Sequence, residues 1–357
     1  MSVSAWVQDR VPTEQVHLDA AACGRVSEAV LAAEVAHLRL EAELGGYVAE
    51  EQAEPQLAAG RAALGAMVGL AGPDVLLTDG GAAAFTALLD AWPLARGARI
   101  GTVPSEYGGN ARLLRQRAAL HDWQLVPLEV DDLGRVQAVP ADLDLVTLPQ
   151  VASHRGVVQP VADVLDSGVP LLLDVAQALG QTEVPAGAAA YVGTSRKWLC
   201  GPRGVGFAMV DPAWAPRLAS PPTQAGGLFA DLRRFDANET HVAGRVGLAL
   251  AARTWSPALV PVLQAAAAAA RVLLQDAGGW RVVEPLEEKS GISTLRHPSA
   301  DPVATRAALL AEGFVLSAVP TSRAGDLAVP VLRVSTAAWV TPGDLEALVG
   351  ALERCTR

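Results

Sequence analysis

Short apolar runs alternate with amphipathic stretches through the first two-thirds of the chain. DVLLTD (Asp74–Asp79) reads as a strand and is followed, past Gly80 and Gly81, by the helical pattern AAAFTALLDAW. RIGTVP (Arg99–Pro104) reads as a strand before the helix GGNARLLRQRAALHD. QLVPLEV and LDLVTLP are further strands, VADVLDSG is a short helix, and PLLLDV (Pro170–Val175) is a strand. Strands and helices in alternation predict a parallel sheet covered on both faces. GVGFAMV (Gly204–Val210) adds one more strand, for which an antiparallel direction is open. Before this region, periodicity predicts helices over Val26–Leu44, ending at Gly45–Gly46, and over about Gln52–Gly69.

The texture changes after Pro257. A long alanine-rich helix runs towards Gly278, followed by the strand GISTLRH, the helix PVATRAALLAEG, the strand VLRVST and the helix TPGDLEALVGALERC. This reads as a smaller α+β unit. The Ala265–Ala270 tract needs no explanation beyond helix propensity.

At 357 residues and 51% hydrophobic positions the chain has enough material for one large domain and a smaller one. The formal charge is −10, with no basic block, which argues against nucleic acid or an anionic membrane as partner. Cys23, Cys200 and Cys355 are widely spaced and form neither a disulfide framework nor a zinc pattern. No metal site is expected. The N-terminal residues lack the apolar core of a secretory signal, and a cytoplasmic protein is expected.

Three features carry candidate chemistry. Asp174 closes an apolar strand, where a carboxylate is costly unless paired; helix capping is its simpler use. Gly80 and Gly81 stand where a strand turns into a helix, a geometry that offers backbone N–H groups to an anion. The stretch is neither a Walker loop nor GxGxxG, and any strand–helix turn can use glycine. Lys197, in TSRKWLCGPRG, precedes a glycine-rich turn. A phosphate cradle, a strand-end carboxylate and a lysine together suit pyridoxal phosphate: the cradle takes the phosphate, the carboxylate keeps the pyridine nitrogen protonated, and the lysine amine makes a Schiff base.

These segments resemble, in order along nearly the whole chain, the class V aminotransferase branch of the fold-type I pyridoxal phosphate enzymes. HLDAAACGR is similar to the family's opening stretch and TDGGAAAF to its phosphate loop, which implies cofactor contacts from Gly81 and Ala82. EYGGN implies that Tyr107 stacks on the cofactor. DVAQALG implies Asp174 on the pyridine nitrogen and Gln177 on the ring hydroxyl. TSRKWLCGPRGVG implies Lys197 as the catalytic lysine, with Thr194 and Arg196 near the phosphate. VLRVS implies Arg333 on the substrate carboxylate; ASHRGVVQP contributes Ser153, and GGYVAEE offers Tyr47 near the entrance, although an interface or capping tyrosine explains it as well.

The resemblance implies an α/β fold with a large, mainly parallel seven-stranded sheet in residues 51–256. A small α+β domain in 257–357 and an N-terminal segment, 1–50, packed on it complete the expectation, in a homodimer. It also implies a carbon–sulfur lyase acting on a cysteine S-oxide conjugate, a small molecule whose other half is an imidazole betaine. A cysteine desulfurase, another cysteine-conjugate β-lyase or an aminotransferase of the branch are the alternatives.

The departures from the family's pattern bear on the choice. Arg196 stands where many relatives have histidine. SAVPTSRAGDLAVPVLRVS lacks the cysteine that desulfurases carry before the carboxylate arginine, and Cys200 reads as packing. Glu239 falls where a partner-subunit threonine usually binds the phosphate.

Overall fold

The computed structural model describes residues 2–221, 229, 231–237 and 239–356. A seven-stranded sheet forms the centre. Its spatial order is Val75–Thr78, Gly206–Val210, Ala190–Thr194, Leu171–Asp174, Leu145–Pro149, Arg99–Thr102, Gln124–Pro127. Six strands run parallel, and Gly206–Val210 is antiparallel to both its neighbours. The central strands are apolar at consecutive positions because helices cover both faces. Val75–Thr78, Leu145–Pro149 and Gly206–Val210 are buried at every residue. The helix Gly81–Ala91 lays Ala84, Phe85, Leu88 and Leu89 on one face of the sheet.

Two glycines let this helix start close to the sheet. A Cβ on Gly206 would lie 2.5 Å from the Gly80 carbonyl carbon and 2.6 Å from the Gly81 nitrogen. Gly80 itself has φ 119°, which side-chain-bearing residues rarely adopt.

The C-terminal unit is a four-stranded antiparallel sheet in the order Arg281–Val282, Ile292–Arg296, Val331–Ser335, Ser317–Val319. Leu259–Leu274, Pro302–Ala311 and Pro342–Cys355 pack on it around a core that includes Trp280, Leu295, Leu332 and Leu348. The chain enters this unit from its N-terminus. Val16–His17 pairs in parallel with Phe314–Val315, and Trp6 stacks on Trp339 at 6.0 Å.

The helix Glu28–Leu44, capped by Ser27, packs on Gly46–Ala66 and Val242–Thr254 rather than on the C-terminal sheet. The second helix begins at Gly46, six residues before the predicted Gln52, because Gly45 at φ 87° turns the chain within one residue. No single helix among the described residues is long and apolar enough to cross a membrane.

Candidate active site

The carboxyl ends of the parallel strands converge on a cleft of about 380 Å³, closed on its other side by Ser317–Val319 and Arg333 of the C-terminal unit. A parallel sheet directs its strand-end loops to one edge, where a ligand site forms. Lys197, Asp174, Gln177, Tyr107, Gly81, Ala82, Thr194, Arg196, Arg333 and Ser153 all line this cleft. Tyr47 does not. It lies in the first turn of Gly46–Ala66, 77% exposed, outside this chain's cleft. Glu239 is also exposed and outside the cleft, and its neighbour Asn238 is outside the described residues.

Lys197 follows the strand Ala190–Thr194, next to the strand that ends in Asp174. Burial pulls its amine down to about 7, and the charges of Arg196, Arg333 and Arg323 pull the same way against Asp174. The lysine is therefore substantially neutral at neutral pH, as a general base must be. The chain passes directly over its backbone: Gly24 donates from its N–H to the Arg196 carbonyl at 2.7 Å. A Cβ on Gly24 would lie 2.3 Å from the Lys197 carbonyl oxygen, so only glycine fits.

Asp174 is held by two donors. The Ala176 N–H reaches Oδ1 at 2.8 Å and the Asn110 amide reaches Oδ2 at 3.0 Å. Burial pushes the carboxyl up, while Lys197 and these donors oppose that. The same Asn110 amide donates to Glu106 Oε1 at 3.1 Å, and the Tyr107 N–H donates there at 2.8 Å. Glu106 is buried, and desolvation with Asp174's charge raises it to about 8, so it is mostly protonated at neutral pH. Glu106 lies just before the N-cap of Gly108–His121 and Asn110 in its first turn, four residues on. That spacing in EYGGN was the available signal for them.

Gln177 is fixed on both sides. Its Oε1 accepts from the Trp198 indole at 2.9 Å and its Nε2 donates to the Ala21 carbonyl at 2.9 Å. Arg333 is almost fully buried. It donates from Nη1 to the Ser153 carbonyl at 2.6 Å and from Nη2 to Asp19 at 3.1 Å and to the Ser317 hydroxyl at 3.2 Å. Its Nε and the Ser153 hydroxyl are buried without a partner. Ser153 thus positions Arg333 through its backbone. Asp19, invisible as a site residue in sequence, is brought in by the bridge between its own backbone and Ser335.

A sequence model described as "Aminotransferase class-V" matches residues 16–339. The chain belongs to the class V aminotransferase family. It is 38% identical over 375 residues to a protein named "Probable hercynylcysteine sulfoxide lyase" from Mycobacterium tuberculosis (strain CDC 1551 / Oshkosh), covering 98% of this chain and 93% of that one. Its fold is similar to that of an apo cysteine desulfurase from Thermococcus onnurineus NA1, with TM-score 0.88 and 19% identity over 100% of this chain and 98% of the other. It is also similar to a C-DES mutant with glycine covalently linked to its PLP cofactor, with TM-score 0.85 and 15% identity over 96% and 97% of the two chains. The fold-type I architecture expected from the sequence is the one observed.

The residues present fit pyridoxal phosphate. The glycine turn at Gly80–Gly81 opens a helix whose first N–H groups face the cleft beside Arg196, a site for a phosphate. Asp174 is a fixed carboxylate, and Lys197 a desolvated amine, on the same floor.

Proposed function

We propose that the protein is a pyridoxal-phosphate-dependent carbon–sulfur lyase that cleaves hercynylcysteine sulfoxide. The near full-length match to the relative of that name supports this reading, together with one feature of the cleft. Among the described residues no cysteine lines it. Cys200 is buried behind Lys197, its thiol pushed up to about 12 by desolvation, with its Sγ 3.7 Å from the Trp198 carbonyl. A thiolate is the sulfur acceptor a desulfurase needs; Cys23, exposed and next to the cleft-lining Ala22, has its thiol pushed up by partial burial in spite of Arg196 and Arg203, so it is not activated as one.

The cofactor, held by Lys197, Asp174, Gln177, Tyr107, Thr194, Arg196 and the Gly81–Ala82 turn, supplies an electron sink for the substrate's α-carbon. Arg333 binds the α-carboxylate, for which Nε and the second N–H of Nη1 are left. Lys197, as the neutral amine, takes the α-proton. Asp174 keeps a negative charge beside the ring nitrogen, held in place by Asn110 and Ala176. The Cβ–S bond breaks with its electron pair going to sulfur, which leaves as a sulfenate. The three-carbon remainder takes up water and yields pyruvate and ammonia. Oxidised sulfur is the better leaving group, because a sulfenic acid is more acidic than a thiol.

By the same reading the enzyme is a cytoplasmic homodimer. The exposed apolar stripe Leu31, Val35 and Leu38 on the helix Glu28–Leu44 supports a covered face there. The functional reading is tested by mass spectrometry of the holoenzyme after incubation with L-cysteine. No persulfide is expected on Cys23, Cys200 or Cys355. A persulfide with release of alanine would replace this reading with a desulfurase.

A further inference from the structure

The cleft is more cationic than one cofactor phosphate and one α-carboxylate require. Arg196, Lys197, Arg203, Arg323 and Arg333 line it, with Asp174 the carboxylate among the lining residues and Asp19 paired to Arg333 behind it. Arg196 stands beside the phosphate cradle and Arg333 is committed to the α-carboxylate. Arg323 has neither task. Its guanidinium lies 5.6 Å from the centroid of the Tyr107 ring and makes no ion pair with any described residue. Its charge still acts on Lys197, Arg196 and Arg333.

The segment carrying Arg323 is fastened from several directions. The turn Thr321–Arg323 packs on the start of Gly108–His121 so closely that a Cβ on Gly108 would lie 2.5 Å from the Ser322 carbonyl oxygen. Gly325 and Asp326 donate from their N–H groups to the Pro104 carbonyl at 3.0 and 3.3 Å. The Asp326 carboxylate lies 2.9 Å from His154 Nε2 and 3.2 Å from Arg155 Nη2. Val319, Leu327 and Val331 form a small apolar cluster beneath. Arg323 is therefore held at the cleft by a clamped turn, which lowers the entropy lost when it binds an anion.

We propose that Arg323 holds a second carboxylate of the substrate, at the end remote from the one on Arg333. This rests on the functional reading above, in which the leaving half is a betaine and carries its own carboxylate beside a quaternary ammonium. A planar guanidinium is suited to a bidentate carboxylate contact, and its place 5.6 Å from the Tyr107 ring centroid uses none of its N–H donors. The contact also selects against cysteine conjugates that lack the distal acid, because those leave a cation in the cleft unpaired.

The test is a cycle on the holoenzyme. Arg323→Gln and the unaltered enzyme are each assayed with hercynylcysteine sulfoxide and with its analogue amidated at the betaine carboxylate. Loss of a charge-assisted contact raises KM for the acid by about tenfold or more, with a smaller change in kcat. The amide shows that rise already in the unaltered enzyme and gains nothing further from Arg323→Gln. Arg323→Lys restores part of the affinity for the acid. Calorimetry with ergothioneine, the reduced form of the sulfenate released and a carrier of the same betaine carboxylate, gives the same ranking without turnover. Equal losses for acid and amide, or none for either, overturn the role of Arg323. Failure of the unaltered enzyme to cleave the sulfoxide at all overturns the functional reading, and the arginine's role falls with it.

Discussion

The Trp198 indole donates to Gln177 Oε1 at 2.9 Å, one residue beyond the lysine at the centre of the site. An indole N–H can only donate, so it settles which end of the Gln177 amide faces away from Trp198. The Nε2 end then meets Ala21 with one N–H and keeps a second for the cleft. The donor expected for the cofactor's ring hydroxyl is thus oriented by the neighbour of Lys197, the lysine proposed as catalytic. Trp198→Phe removes that constraint with modest loss of volume. Cofactor dissociation should become several-fold easier, the effect of about 1 kcal/mol for one hydrogen bond, with a changed visible spectrum. An unchanged spectrum and affinity would detach Trp198 from the site.

Lys197 supplies the pH dependence. Its amine sits near 7 through burial and the surrounding arginines, and only the neutral form accepts a proton. The free amine exists only once substrate has displaced it from the cofactor, so kcat, which reports that complex, should rise as pH increases through about 7 and level off above it. Lys197→Ala should abolish covalent cofactor attachment and turnover while leaving the fold intact by circular dichroism.

Glu106 has the opposite sign in stability. It binds its proton up to about 8 in the folded chain but only to the ordinary 4.5 when unfolded. Between these values the native state carries more protons, so stability falls as pH rises through this window. Glu106→Gln keeps the shape and removes the titration. Its melting temperature should decline less over this interval than that of the unaltered protein. Parallel declines would place the pH sensitivity elsewhere.

Gly24 tests the packing of the N-terminal segment over the site. Gly24→Ala puts a methyl into the Lys197 backbone, where no flexible side chain can yield. Weaker cofactor retention and a lower melting temperature should appear together, of the order of 1–3 kcal/mol for an overpacked buried position.

The sheet was legible because buried parallel strands write themselves as apolar runs, and Asp174 and Lys197 because charged groups at the ends of such runs stand out. What supports them was less legible. Asn110 and Glu106 lay inside a motif quoted for Tyr107, yet their link to Asp174 crosses 64 residues of sequence and exists only in the fold. Asp19 reaches Arg333 across 314 residues. Trp198 carried no signal beside Lys197 in the sequence; its N–H meets Gln177 only in the fold. Tyr47 lies where the helix restarts at Gly46, 77% exposed and outside this chain's own cleft, a placement that the sequence pattern did not give. Arg323 gave no periodic or motif signal, since its position depends on how one turn packs against Gly108.

The account stands most directly on product analysis. Holoenzyme given hercynylcysteine sulfoxide should release one pyruvate for each substrate consumed, with the imidazole fragment retaining the sulfur, and Lys197→Ala should release none. Given free L-cysteine, it should form neither sulfide nor alanine at a comparable rate. Rapid sulfide or alanine from cysteine, with no pyruvate from the sulfoxide, would contradict it.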